Sequence, residues 1–488
     1  MKILSTGKGL RTLPRLVLAT VLALSAGACD TDKIVEVEDP AARRPEEINN
    51  TGSVPALVNG ALRQFIGGYS GFGGDSFLSS SGVISDELYY GDTFTTRDAA
   101  DKRTLQPAVL GNISDGSFGL LQQARFNARR AFATVAQFST PATAAADGTT
   151  QAQLRTIEGY VYVTLSEGWC GSVPFSVVPD TGVVDASRIT NGVPLSTAGM
   201  NDTAVTRFNQ ALALNSSNAL AAVGKARALL NLGRFAEAAA AVQSVPTSYV
   251  FLLEHSINTP AENNPIRALI DNGRYSVSNL EGAVISTTST RPDATAPATT
   301  APGAEGIAFR GLRDPRVPWE FKGRCFSAVN CFFNNNYSTL DADVPLASGV
   351  EARLIEAEAA LRAGNTALML STLNTLRANV TQIVQVLYPG QKAVQNPTGL
   401  QPLIDPGTPD TRRALFFQER ALWLFNTGHR QGDLRRLVRQ YGVPSNVAFP
   451  SGTHFRGGTF GNDVAYPVPF NEENNREFNR AACVTTAA

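Results

Sequence analysis

The chain has 488 residues, with 42 basic and 42 acidic side chains and a formal charge of zero. Hydrophobic residues make up 43% and charged residues 17%, enough apolar material to bury a core, which excludes a wholly disordered chain. Zero net charge argues against a nucleic-acid binder, which needs a basic surface to displace counterions, and the length suits one large domain or a few ordinary ones.

The charge is unevenly spread. Lys2, Lys8, Arg11 and Arg15 fall within residues 1–28, which hold no acid; taking those four from the 42 leaves 38 basic against 42 acidic residues. This basic segment, the apolar run 16–24 and the small residues Ser25-Ala26-Gly27-Ala28 read as a bacterial secretory signal peptide over 1–28. The run is too short to span a bilayer, which takes about 20 residues. Ala26-Gly27-Ala28-Cys29 resembles a lipobox, the site where a bacterial lipoprotein is cut and its cysteine acylated, so lipidation is assigned to Cys29. Ala26 stands where Leu is usual. Each buried methylene contributes about 0.8 kcal/mol, so several acyl chains anchor stably where one does not. Asp30, Asp32, Glu36, Glu38 and Asp39 follow in an acidic tether over 29–50.

Residues 51–488 read mostly as helix and loop. Ser53 is placed to cap a helix with Pro55 in its first turn, and Leu57, Val58, Ala61, Leu62 and Phe65 share one face. The glycine-rich stretch 67–74 breaks that pattern. Helices are expected near 117–138 and 151–167, the second ending at Gly168-Trp169-Cys170-Gly171 with glycine in a left-handed cap. Residues 204–215 resemble the second helix of a tetratricopeptide unit, and 226–238 the helix pair of the next, with Gly233 at its turn. Ala204 and Ala238 stand 34 residues apart, the period of that repeat, and 357–364 looks like a third copy. The Thr/Ala/Pro/Ser-rich stretch 286–306 reads as a loop. A helix pair at about 350–380, a helix at about 410–425 and a loop-rich tail complete the chain.

Four cysteines besides Cys29 allow three pairings, and an exported chain meets an oxidising compartment. Cys325 and Cys331 are close enough to close a small loop, which leaves Cys170 with Cys483. No Cys-x-x-Cys or Cys/His cluster suggests a metal, and no cofactor is implied.

Five segments, in order, resemble the SusD/RagB family. They are residues 158–175, which run from Glu158-Gly159-Tyr160 into Gly171-Ser172-Val173-Pro174; Asp314-Pro315-Arg316; residues 352–359 around Glu356-Ala357-Glu358; Glu419-Arg420 with Gly428-His429-Arg430 and Asp433-Leu434-Arg435-Arg436; and Tyr466-Pro467-Val468-Pro469. Thr427 stands where that family usually has Glu, and Gln431-Gly432 replaces an aromatic pair. The resemblance implies a single compact, mainly α domain of tetratricopeptide-like hairpins with extended loops, its N-terminal part at about 51–250 and its C-terminal part at about 251–488. It also implies a lipid-anchored protein of the outer membrane, facing outward, that captures an oligosaccharide or peptide for a TonB-dependent, SusC-like transporter. The alternatives are a tetratricopeptide scaffold lipoprotein that binds proteins, or a helical glycan hydrolase.

No catalytic signature such as His-Glu-x-x-His, Gly-x-Ser-x-Gly or a phosphate loop occurs, and His255, His429 and His454 are widely separated. Glu356 and Glu358, two apart on a helix, point in different directions. His429, Arg430 and Asp433 read as a structural ion set. Binding needs flat rings for the apolar faces of sugars, with polar groups around them. Tyr89 and Tyr90 before Gly91, and Trp319 after the Asp-Pro-Arg segment, are the ligand-binding candidates; Phe332, Phe333 and Tyr337 lie in the same region.

Overall fold

The computed structural model describes residues 50–72, 74–85, 87–106, 113–177, 189–279, 306–390 and 400–488. Residues 1–49, on which the expected signal peptide, the lipidation at Cys29 and most of the expected tether fall, lie outside the described residues, as does the 286–306 stretch except Gly306. Contacts gather Asn49–Ala488 into one compact unit.

Helix α1 (Val54–Tyr69) is followed by α2 (Phe77–Ile84), strand β1 (Leu88–Tyr90) and α3 (Thr95–Asp101). Next come α4 (Asp115–Phe138), α5 (Ala144–Gly168), α6 (Thr197–Leu214), α7 (Ala219–Asn231) and α8 (Phe235–Val242). The middle of the chain holds β2 (Val250–Leu253), α9 (Pro265–Asp271), β3 (Tyr275–Val277), β4 (Trp319–Arg324), β5 (Asn330–Asn334) and β6 (Val344–Ser348). Helices α10 (Gly349–Arg362), α11 (Thr366–Ala378), α12 (Val380–Leu387), α13 (Pro409–Trp423), α14 (Arg430–Tyr441) and α15 (Ser445–Ala448) close the molecule. The protein is mainly α.

Successive helices stack on one another: α1 on α4, then α4, α5, α6, α7 and α8 each on the next, then α8 on α10 and α10 on α11. The tetratricopeptide-like turns form where the sequence places them. Gly233, between α7 and α8, and Gly364, between α10 and α11, adopt φ of 74° and 72°, a region open to glycine and strained for side chains. Among the described residues three antiparallel two-stranded sheets, β1–β3, β2–β6 and β4–β5, decorate this stack. Among the described residues no helix is long and apolar enough to cross a membrane.

Several local expectations are corrected. Ser53 does not cap α1 with its side chain; its backbone is already helical, and Asn50 caps a preceding turn by accepting from the Ser53 N–H. Gly67 and Gly68 do not break α1, which continues to Tyr69, because a bare Cα there admits the Phe72 ring and the Leu121 side chain. Helix α5 ends on extended Trp169 rather than on a left-handed glycine. Its carbonyls are satisfied from elsewhere: Arg435 Nη1 donates to the C=O of Ser166 (2.7 Å), Glu167 (3.0 Å) and Trp169 (3.0 Å). Burial lowers this guanidinium to about 9.

Helix α14 occupies what the sequence presents as tail, and it binds the motif segments together. Arg420 Nε donates to Asp433 Oδ2 (2.7 Å), and Arg436 Nη2 donates to Asp433 Oδ1 (2.8 Å) and Glu358 Oε2 (3.0 Å). Arg316 reaches Asp314 Oδ2 (2.7 Å) and Glu419 Oε2 (2.6 Å). Arg227 clasps Glu167, and His429 Nε2 lies 3.1 Å from Glu351 Oε1 and 2.9 Å from Arg227 Nη1. Burial alone would raise the carboxyls of Asp433, Asp314 and Glu351; the facing charges of Arg420, Arg316 and His429 respectively hold all three below the ordinary range. These side chains are buried and mutually paired, which makes them structural.

Candidate ligand-binding surface

The surface is built on the β4–β5 hairpin. Phe321 pairs with Phe332 across the strands, and a bulge follows between Phe321 and Gly323. Cys325 and Cys331 form a disulfide that closes the hairpin turn, and a second disulfide joins Cys170 to Cys483. The small loop docks on the chain ends beside β1 and β3. Ser327 N–H donates to Gly91 O (2.8 Å), and Phe326 N–H to Gly273 O (3.2 Å). A Cβ on Gly91 would meet the Cys325 sulfur at 2.6 Å, so glycine is needed for the loop to sit this close.

That docking sets Phe326 near Phe94. Phe326 is 69% exposed and Phe94 52%, and the Arg274 guanidinium stacks over both rings, 5.6 Å and 4.9 Å from their centroids. Arg274 is fixed by buried Asp92. Arg97 also faces the Phe94 ring at 5.1 Å and pairs with Asp75 at 2.7 Å, while the Tyr275 hydroxyl donates to Asp75 Oδ1 at 2.6 Å. Two open rings flanking a held cation are suited to the C–H face and hydroxyls of a sugar.

Trp319 lies at the start of β4, half-buried, edge-on to Phe332 at 5.5 Å, with its Nε1–H donating to Arg310 O (3.2 Å). Phe321, two residues on and 46% exposed, contacts the same Phe332 ring at 5.4 Å. The choice of Tyr89 and Tyr90 as ligand contacts is corrected. Pairing of β1 with β3 places both in the core with no exposed surface. Tyr89 packs edge-on against Phe455 and donates to the Asn330 carbonyl. The Tyr90 hydroxyl accepts from the Phe94 N–H, so Tyr90 positions the exposed ring without meeting ligand itself. Phe332 and Tyr337 are buried, and Phe333 is half-buried under Arg267 and Lys322.

The profile of the tetratricopeptide repeat family matches residues 195–250, which carry α6, α7 and α8. Among solved structures, the chain resembles a SusD superfamily protein from Parabacteroides distasonis at 12% identity and a TM-score of 0.59, over 88% of this chain and 98% of that one. The fold is SusD-like. A laminarin-binding SusD-like protein shares it at 14% identity and a TM-score of 0.54, over 88% and 98% of the two chains. So does a SusD-like carbohydrate-binding protein from Bacteroides vulgatus, at 12% identity and a TM-score of 0.52, over 79% and 83%. No curated protein matches the sequence.

On the hairpin and the loop it docks against, Phe94, Phe321 and Phe326 are the rings that stand exposed among the described residues, and the sequence singled out none of them. The signal for Phe326 was present: an aromatic enclosed by a small disulfide loop has little room to bury. Phe94 carried a similar signal, since it sits among Asp92, Thr93, Thr95 and Thr96. Among the described residues no cluster of three or more His, Cys, Asp or Glu is placed to hold a metal.

Proposed function

We propose that this protein is a non-enzymatic surface lipoprotein that captures oligosaccharides and hands them to a TonB-dependent outer-membrane transporter. The observation that carries the reading is the pair of exposed rings on either side of Arg274, Phe326 in the disulfide-closed loop and Phe94 at the start of α3. Trp319 and Phe321 extend the aromatic surface along the hairpin. Support also comes from the fold, which solved laminarin- and carbohydrate-binding SusD-like proteins share. Acylation at Cys29 and a tether over 29–50 would keep the receptor beside its transporter at high effective concentration, so weak docking suffices. No step of bond breaking is required.

Binding is tested by titrating the purified full chain with a panel of oligosaccharides and peptides. Retention of a glycan, lost in the Phe94→Ala/Phe326→Ala variant, supports the reading; retention of peptides alone, or new reducing ends, overturns it. Hand-over is tested by isolating the protein from native membranes and looking for a barrel partner. Repeated isolation without one favours the tetratricopeptide scaffold instead.

A further inference from the structure

Cations on the aromatic surface differ in whether their charge is already spent. Arg274 is neutralised by Asp92, Arg97 by Asp75, and Lys322 by Glu320 at 3.2 Å. Arg313 is different. It is exposed, and its guanidinium lies 6.0 Å from the Trp319 ring centroid. Its neighbour Asp314 is turned inward, held by Arg316 Nε at 2.8 Å and Nη2 at 2.7 Å. Among the described residues Arg313 therefore has no acidic partner. Its backbone is held at φ 49°, a conformation that side chains other than glycine rarely adopt. The adjoining Leu312 is 38% exposed, so among the described residues this corner combines apolar surface with one positive charge that has no acidic partner.

The geometry points to a subsite for an acidic sugar unit, uronic or sulfated, that lays its apolar face on Phe321 beside Trp319 and sets its anion on the Arg313 guanidinium. This rests on the glycan reading and sharpens it to a substrate class. Trp319 and Phe321 are two residues apart on one strand, about 7 Å, the scale of a single ring-to-ring step. A guanidinium is suited to a carboxylate or sulfate because its planar fork donates two parallel hydrogen bonds. Both partners are exposed, so the contact is screened by salt.

The test uses the full chain and three probes of equal length: an oligogalacturonate, a sulfated galactan fragment and a neutral glucan fragment. Tighter binding of one or both acidic probes, weakening as salt rises, supports the inference, and the two arms separate carboxylate from sulfate. Arg313→Gly removes the guanidinium and suits the left-handed backbone, so the fold is kept. It should lower acidic-probe affinity about tenfold and leave neutral binding unchanged, while Arg313→Lys recovers part of the loss. If the neutral glucan binds and Arg313→Gly alters nothing, the acidic subsite is wrong and the glycan receptor stands. If no sugar binds, or an acidic peptide is preferred, both fail.

Discussion

His429 is wedged between Glu351 and Arg227, with Thr427 Oγ1 2.9 Å from Nδ1. Replacing it with alanine takes away the imidazole that faces the buried Glu351 carboxylate. Breaking such a pair costs about 3 kcal/mol, so His429→Ala should lower the unfolding midpoint in urea while sugar binding below the transition persists. A variant of full stability that no longer binds would contradict the structural assignment. His255 makes a different statement. Its Nδ1 faces the Glu262 carbonyl at 3.1 Å and its Nε2 the Ser70 hydroxyl at 3.0 Å, an arrangement that suits the neutral ring. Burial lowers it to about 4 from an ordinary 6.5. Between those values the unfolded chain takes up a proton that the folded chain refuses, so stability falls as pH drops through this window. The loss approaches about 3 kcal/mol, and His255→Asn should flatten that part of the pH–stability curve.

Elements divide by how openly they declare themselves. Helices α4, α5, α10, α11 and α13 were legible because apolar or alanine faces recur at helical spacing and the turns carry glycine. Helix α14 was not: Arg430, Arg435, Arg436 and Asp433 mask its period, and their burial depends on partners from α10, α13 and the end of α5. The β4–β5 hairpin could be suspected from its two cysteines, but which rings it exposes depends on its seat against Gly91 and Gly273. That seat is testable. A Cys325→Ser/Cys331→Ser variant should lose about tenfold in affinity for a neutral oligosaccharide, because Phe326 is no longer held beside Phe94, while α-helical circular dichroism is unchanged. Unaltered affinity would remove the loop from the binding surface.

For the molecule as a whole, five motif segments in order sufficed to anticipate the fold, because many of their charged residues meet in two buried ionic clusters, Glu358 with Arg420, Asp433 and Arg436 at α14, and Asp314 with Arg316 and Glu419. The candidate binding surface was less legible. Tyr89 and Tyr90 share the composition of a ligand site, and only the pairing of β1 with β3 shows that they face inward. The two disulfides also act on different scales. Cys325–Cys331 spans 6 residues of sequence and Cys170–Cys483 spans 313. On loop-closure entropy the first contributes about 2 kcal/mol and the second about 6, so serine replacement of the long-range pair should shift the denaturant midpoint further.

The Cys170–Cys483 bond has a consequence for survival under proteolysis. It fastens the far end of the polypeptide to the close of α5, and nearly two thirds of the chain lies between its two sulfurs. A protease that nicks this stretch once produces two fragments that remain covalently one particle, and the cut shows on a gel only after a thiol is added.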